Sequence, residues 1–195
     1  ATGDDRERRG MLANLGEHRD GNLTLHDVAR VELDSETIVH GIINDTKQLR
    51  SALSELLAQA KMDPRNLNVV SALPDNQVIV KTIPLNGIEH STSFEALVKL
   101  AHSLASSLDL KIRRPIIRWQ YNAHSHGGEE LLLFITDARY VQQWRTFFKR
   151  SSMNLAALEM ESLALGRALI HKCAHDESIG IIDFGYRQAS LSIFD

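Results

Sequence analysis

Every stretch of this 195-residue chain with the two-residue periodicity of a strand is followed by a turn signal or by an amphipathic helix. That alternation leaves few architectures open. Strands joined by tight turns pair with each other, and helices between them must cover a sheet face. Met11–Leu15 and Leu23–Val31 flank the turn Arg19-Asp20-Gly21-Asn22. Leu67–Leu73 and Val78–Leu85 are β-rich runs separated by Pro74-Asp75-Asn76, which predicts a hairpin. Ile116–Tyr121 and Leu131–Thr136 flank Ala123-His124-Ser125-His126-Gly127-Gly128, and Asn154–Leu158 is a further short strand. The pattern predicts a mixed α/β sheet with helices on its faces, and it allows two sheets, one over Met11–Leu85 and one around Ile116–Thr136.

The helices are drawn by their apolar faces. Leu49, Leu53, Leu56, Leu57 and Ala60 share one face of a helix over Asp45–Lys61, capped by Asn44 or Asp45 and ended by Asp63-Pro64. Ser91–Leu108 carries Phe94, Leu97, Ala101, Leu104, Ala105 and Leu108 on one side. Asp137 is placed to cap a helix running to about Arg150, with Val141, Trp144, Phe147 and Phe148 inward. Met160–His171 reads as a last helix, with His171 and Lys172 suited to its negative end. The first ten residues mix both signs and predict a turn or tail.

Composition excludes several classes. A net charge of -3 gives no global nucleic-acid footprint. The single cysteine, Cys173, excludes an internal disulfide framework. No apolar stretch approaches the ~20 residues of a membrane span, and no signal peptide is recognisable. The sequence reads as a fragment, cut at both ends.

The chemistry concentrates in the closing stretch. An apolar run, Ile179-Gly180-Ile181-Ile182, meets Asp183-Phe184-Gly185, and an alternating run, Ala189–Phe194, follows. Strand, tight turn and strand with one carboxylate is a shape that can seat a phosphate on turn amides while Asp183 holds magnesium. An ordinary hairpin with a turn-forming Asp and Gly explains the same residues. Glu159 and Glu161 flank Met160 at a strand-to-helix junction, where one of them could face a ligand at Asp183, or both could serve the helix dipole. His124, His126, Glu129 and Glu130 cluster at a hairpin tip without the spacing of a known zinc motif. Lys111, Arg113, Arg114 and Arg118 lie beside Trp119 and Tyr121, a charged strand edge rather than a nucleic-acid stacking surface.

Four pieces, taken in order, resemble the PilM/MshI-like actin-fold proteins of type IV pilus or MSHA pilus biogenesis. They are His40-Gly41-Ile42-Ile43-Asn44-Asp45 with the helix after it, Val70–Pro74 through Val78–Ile83, Leu158–Leu169 with Glu161 at the family's glutamate, and Ile182–Gly185 with Ala189–Phe194 at its second phosphate hairpin. The resemblance spans about residues 40 to 194. It implies the actin-like (ribonuclease H-like) fold, first half only, divided as 1–85 for the opening sheet and helix, 86–150 for an inserted small α/β subdomain, and 151–195 for the return to the core. It implies a cytoplasmic scaffold, peripheral to the bacterial inner membrane, that binds the N-terminal cytoplasmic peptide of a PilN-like membrane protein and neighbouring pilus assembly proteins. ATP with magnesium is an optional ligand, and Asp183, Gly185 and Glu161 are the residues the resemblance assigns to it. Nucleic acid is not an expected partner.

The sequence also departs from the family. Where a first Asp-x-Gly hairpin should stand there is Ala1-Thr2-Gly3-Asp4-Asp5, and most of the second half has no counterpart. A catalytic role is therefore not expected, and no catalytic residue is assigned. The alternative is an ATPase or phosphotransferase of the actin, Hsp70 and sugar-kinase superfamily.

Overall fold

The backbone of a computed structural model is described for residues 8–19, 22–84, 112–124, 128–170, 178–184 and 189–194, and for residues 95, 96, 99, 102, 103 and 106. It divides into two compact units, each assembled from separate parts of the chain. Unit 1 is Ala1–Val70 with Tyr140–Ala157, and unit 2 is Ser71–Arg139 with Leu158–Asp195.

Unit 1 opens with an antiparallel pair, β1 (Arg8–Arg19) and β2 (Asn22–Asp34), whose register shifts at Leu15/Gly16. The expected tail thus becomes strand from Arg8 onward. In β2, Ala29, Val31 and Leu33 are buried while Val28, Arg30, Glu32 and Asp34 are exposed, the alternation of a half-buried strand. Helix α1 (Thr46–Gln59) packs on β2 through Leu49, Ala52, Leu53 and Leu56. Asp45 is its N-cap: one carboxylate oxygen accepts from Lys47 N at 2.8 Å and Gln48 N at 3.0 Å. Thr37, almost fully buried, supports this junction. Its hydroxyl meets Gln48 Oε1 at 2.8 Å and its carbonyl accepts from Asn44 N at 3.0 Å.

Between β2 and α1 lies a very small hairpin, β3 (Ile38–Val39) and β4 (Ile42–Ile43), turning on His40 (φ 50°) and Gly41 (φ 77°). Two consecutive positive φ values are what a two-residue type I′ loop requires. Helix α2 (Ala138–Arg150) pins this hairpin from about 100 residues away. Gln143 Oε1 accepts from Ile43 N at 3.1 Å, Gln143 Nε2 donates to Ile43 O at 2.7 Å, and Trp144 Nε1 donates to Gly41 O at 3.0 Å. Trp144, Phe147 and Phe148 are buried together, with Phe147 and Phe148 edge-on at 5.3 Å between ring centroids.

Both α1 and α2 end in the same way. Lys61 (φ 52°) and Ser152 (φ 60°) take the left-handed conformation just past the helix. Met62 N then reaches Leu57 O at 2.9 Å, and Met153 N reaches Phe148 O at 3.0 Å. These are Schellman closures made without glycine.

Strand β5 (Asn68–Leu73) pairs with β9 (Asn154–Met160), and Asn154 N donates to Leu67 O at 3.0 Å where the two strands begin. This corrects the hairpin expected between 67–73 and 78–85. Pro74 leads into a 3-10 turn over Asp75–Gln77, which carries the chain out of one sheet and into another. The two-sheet division at Leu85 fails for the same reason. Strand β6 (Ile79–Pro84) joins β7 (Pro115–His124) and β8 (Gly128–Asp137) in the order β6-β8-β7.

In that sheet of unit 2, Ile117, Leu131, Leu133 and Ile135 form a buried cluster with Ile79, Ile83 and Ile112 against it. The charged strand expected at 116–121 does lie at a sheet edge. Asp137 is buried and accepts four hydrogen bonds, from Arg113 N, Arg139 N, Arg139 Nε and Arg139 Nη2, at 2.8–3.2 Å. Burial pushes its carboxyl upward, but these donors outweigh that effect and hold it below the usual aspartate range. Helix α3 (Glu161–Leu169) and the hairpin β10 (Ile179–Phe184) with β11 (Ala189–Phe194) complete the described elements. Gly166 lets the Phe194 ring lie directly on α3; a Cβ there would sit 2.7 Å from it. Of the helix expected at 91–108, the described residues Glu95, Ala96, Lys99, His102, Ser103 and Ser106 are helical, and the rest lies outside the described residues.

Two consequences are measurable by urea denaturation. Gln143→Ala leaves the Ile43 peptide without its side-chain partners and is expected to cost about 1–3 kcal/mol. Lys61→Gly and Ser152→Gly remove the cost of a left-handed side-chain-bearing residue and are each expected to stabilise by about 0.5–1 kcal/mol.

Candidate functional site

Three elements of unit 2 bring carboxylates together. The turn after β5 supplies Asp75, the first residue of α3 supplies Glu161, and β10 supplies Asp183. Asp75 is fixed by a local need. The Met160 side chain makes no cap hydrogen bond, and Asp75 Oδ1 accepts instead from Ser162 N at 3.3 Å. An orphan amide at the positive end of α3 is thereby met by a carboxylate from 87 residues earlier.

Glu161 faces the consequence. Its side chain keeps contact with solvent, yet neighbouring atoms remove part of its hydration, and Asp75 and Asp183 repel its charge. Loss of hydration, followed by the two repulsions in that order, holds its carboxyl above the ordinary glutamate value. The neighbouring Glu159 is engaged differently, in an ion pair with Arg167. The charge of Asp183 bears on Glu161 at this junction.

Asp183 is exposed and lies within β10 opposite Ser190, one residue before the last residue of that strand, Phe184. Gly185, with the rest of 185–188, lies outside the described residues, as do residues 1–7. Asp75 and Asp183 both lie near enough to Glu161 for their charges to raise its carboxyl. Asp75 was legible only as a turn residue, because nothing local in a Pro-Asp-Asn sequence reveals a helix end 87 residues away.

The donor set consists of hard carboxylate oxygens, the type magnesium takes, commonly with several waters retained. Among the described residues no group of three His, Cys, Asp or Glu side chains has the geometry to grip an ion directly. His126 is outside the described residues, and His124 and Glu129 are described only as strand backbone.

No protein-family model and no curated protein sequence matches the chain. A search of solved structures finds one described as "PilM-PilN type IV pilus biogenesis complex", with a TM-score of 0.73 and 14% sequence identity. The match covers 94% of this chain and 55% of that one, so the chain spans about half the length of the protein it resembles. At this identity the likeness is one of fold. The fold is the actin-like one that the sequence resemblance implied, represented in part.

The sign of the Glu161 effect is open to test. A carboxyl raised in the folded state destabilises that state once ionised, so the penalty is present at neutral pH. It fades as pH falls through the raised value, and it vanishes below the unfolded glutamate value of about 4.3. Glu161→Gln is expected to raise Tm at pH 7, with the gain disappearing near pH 4. In Asp75→Asn, NMR titration is expected to show the Glu161 carboxyl moving back toward its ordinary value.

Proposed function

We propose that the chain is the first half of a PilM-like scaffold, working on the cytoplasmic side of a bacterial inner membrane in type IV pilus assembly. The observation that carries this reading is the fold match to the PilM-PilN complex over 94% of the chain. Its partner is the N-terminal cytoplasmic peptide of a PilN-like membrane protein, and through that peptide other assembly proteins. In this reading the scaffold meets the membrane through its partner; among the described residues no helix is long and apolar enough to cross a membrane. An MSHA pilus is a second system of the same kind.

ATP with magnesium is an accessory ligand in this reading. Asp183 and Glu161 would face the hydrated cation, Asp75 would hold the α3 end beside them, and Gly185 would let the turn approach a phosphate. When bound, the magnesium would supply the positive charge that offsets the repulsion among the three carboxylates. The carboxylate grouping also favours the alternative, an ATPase or phosphotransferase of the actin superfamily, but that chemistry needs an opposing wall for the nucleotide.

Isothermal titration with a PilN-type N-terminal peptide is expected to give saturable binding; a folded protein that takes up no peptide removes the scaffold reading. A parallel Mg-ATP titration of wild type and Asp183→Ala separates the accessory ligand. Equal affinity in both, or none in either, removes Asp183 from any nucleotide role.

A further inference from the structure

Strand β8 carries large apolar side chains on both faces. Leu131, Leu133 and Ile135 enter the core with Ile117, while Leu132 and Phe134 point the other way. An antiparallel sheet with one open face normally alternates apolar inside and polar outside. Here the register puts Val80, Phe134 and Arg118 in one outward row across the three strands, and the next row is centred on Leu132. Leu132, Phe134 and Ile116 are half-buried, Val80 is 40% exposed, and Arg118 is exposed. The outer face therefore has an apolar centre within reach of solvent.

Arg118 stands in the Phe134 row, its guanidinium turned back to donate to Ile117 O at 2.9 Å. A partner that matches this face carries an apolar stripe with an acidic group opposite Arg118.

We propose that the outer face of the β6-β8-β7 sheet docks an amphipathic helix of a partner protein. Its apolar stripe would lie over Val80, Leu132 and Phe134, and a carboxylate would stand opposite Arg118. A helix suits the face because residues at i, i+3, i+4 and i+7 present one apolar strip with charges at its rim. The complementary carboxylate gives it a direction along the sheet. The proposal does not depend on binding of the PilN-type peptide.

The test uses the whole 195-residue chain and two fluorescein-labelled helical peptides of about 18 residues, about five turns. Both have the same leucine stripe, and one end carries two Glu in the first peptide and two Lys in the second. Fluorescence anisotropy is expected to show saturable binding of the Glu peptide by wild type. Val80→Asp is expected to weaken it about tenfold by placing a charge in the apolar strip. Arg118→Glu, at an exposed position that leaves the fold intact by circular dichroism, is expected to weaken the Glu peptide about fivefold and strengthen the Lys peptide. Absence of saturable binding by wild type, or equal binding by all three proteins, overturns the proposal. So does a concentration-dependent dimer that Val80→Asp abolishes, which would make a second copy the occupant. Binding of the PilN-type peptide is measured alongside; its failure with the Glu peptide still bound would sink the scaffold reading alone.

Discussion

Unit 1 depends on a glutamine that behaves like a neighbouring strand. A two-residue-per-strand hairpin has almost no ladder of its own, and isolated hairpins are marginal in water even when longer. Gln143 offers Ile43 both an acceptor and a donor, at 3.1 and 2.7 Å, which is what a paired peptide would offer. Trp144 adds a bond to Gly41 O while its ring joins Phe147 and Phe148 in the core. The same helix thus supplies apolar mass and the polar partners for an otherwise under-paired loop. With that loop fixed, Thr37 and Asp45 can hold the start of α1, and α1 can cover β2.

The two notable carboxylates of unit 2 illustrate opposite uses of one chemical group. Asp137 is buried and surrounded by donors, so its charge is satisfied and it ties the approach to β7 to the start of α2. Glu161 is partly stripped of hydration and stands within the field of two other carboxylates, Asp75 and Asp183. Crowded, incompletely compensated charge tends to collect at functional sites, although structural networks perturb titration as well. Asp75 serves the amide end of α3, and its charge is one of the two that, after partial burial, raise the Glu161 carboxyl.

Much of the fold was legible where the determining contacts are local. Asp45 before an apolar three-four repeat, Asp137 before an aromatic one, and the β-rich runs of β7, β8, β10 and β11 all lie within a short stretch of chain. The misreading at Pro74 shows the limit. A proline-containing turn between two β-rich runs looks alike whether the chain doubles back or passes to another sheet, and β9, the true partner of β5, begins more than 80 residues later. Lys61 and Ser152 escaped for a different reason, because left-handed backbone at a non-glycine residue leaves no mark in composition. At the candidate site, Asp183 and Glu161 were legible through resemblance, whereas Asp75 was not, since its role is set by the three-dimensional position of a helix end.

The interrupted course of unit 1 bears on how a ribosome delivers this protein. Its two parts, Ala1–Val70 and Tyr140–Ala157, are separated in synthesis by the whole of residues 71–139. At ordinary elongation rates that interval lasts on the order of ten seconds. Throughout it, β2 and α1 have emerged without Trp144, Phe147 and Phe148, and the His40-Gly41 loop has neither of its side-chain partners. The nascent chain must therefore carry exposed apolar surface through a long vectorial pause, a period in which a holdase chaperone has its best opportunity to bind.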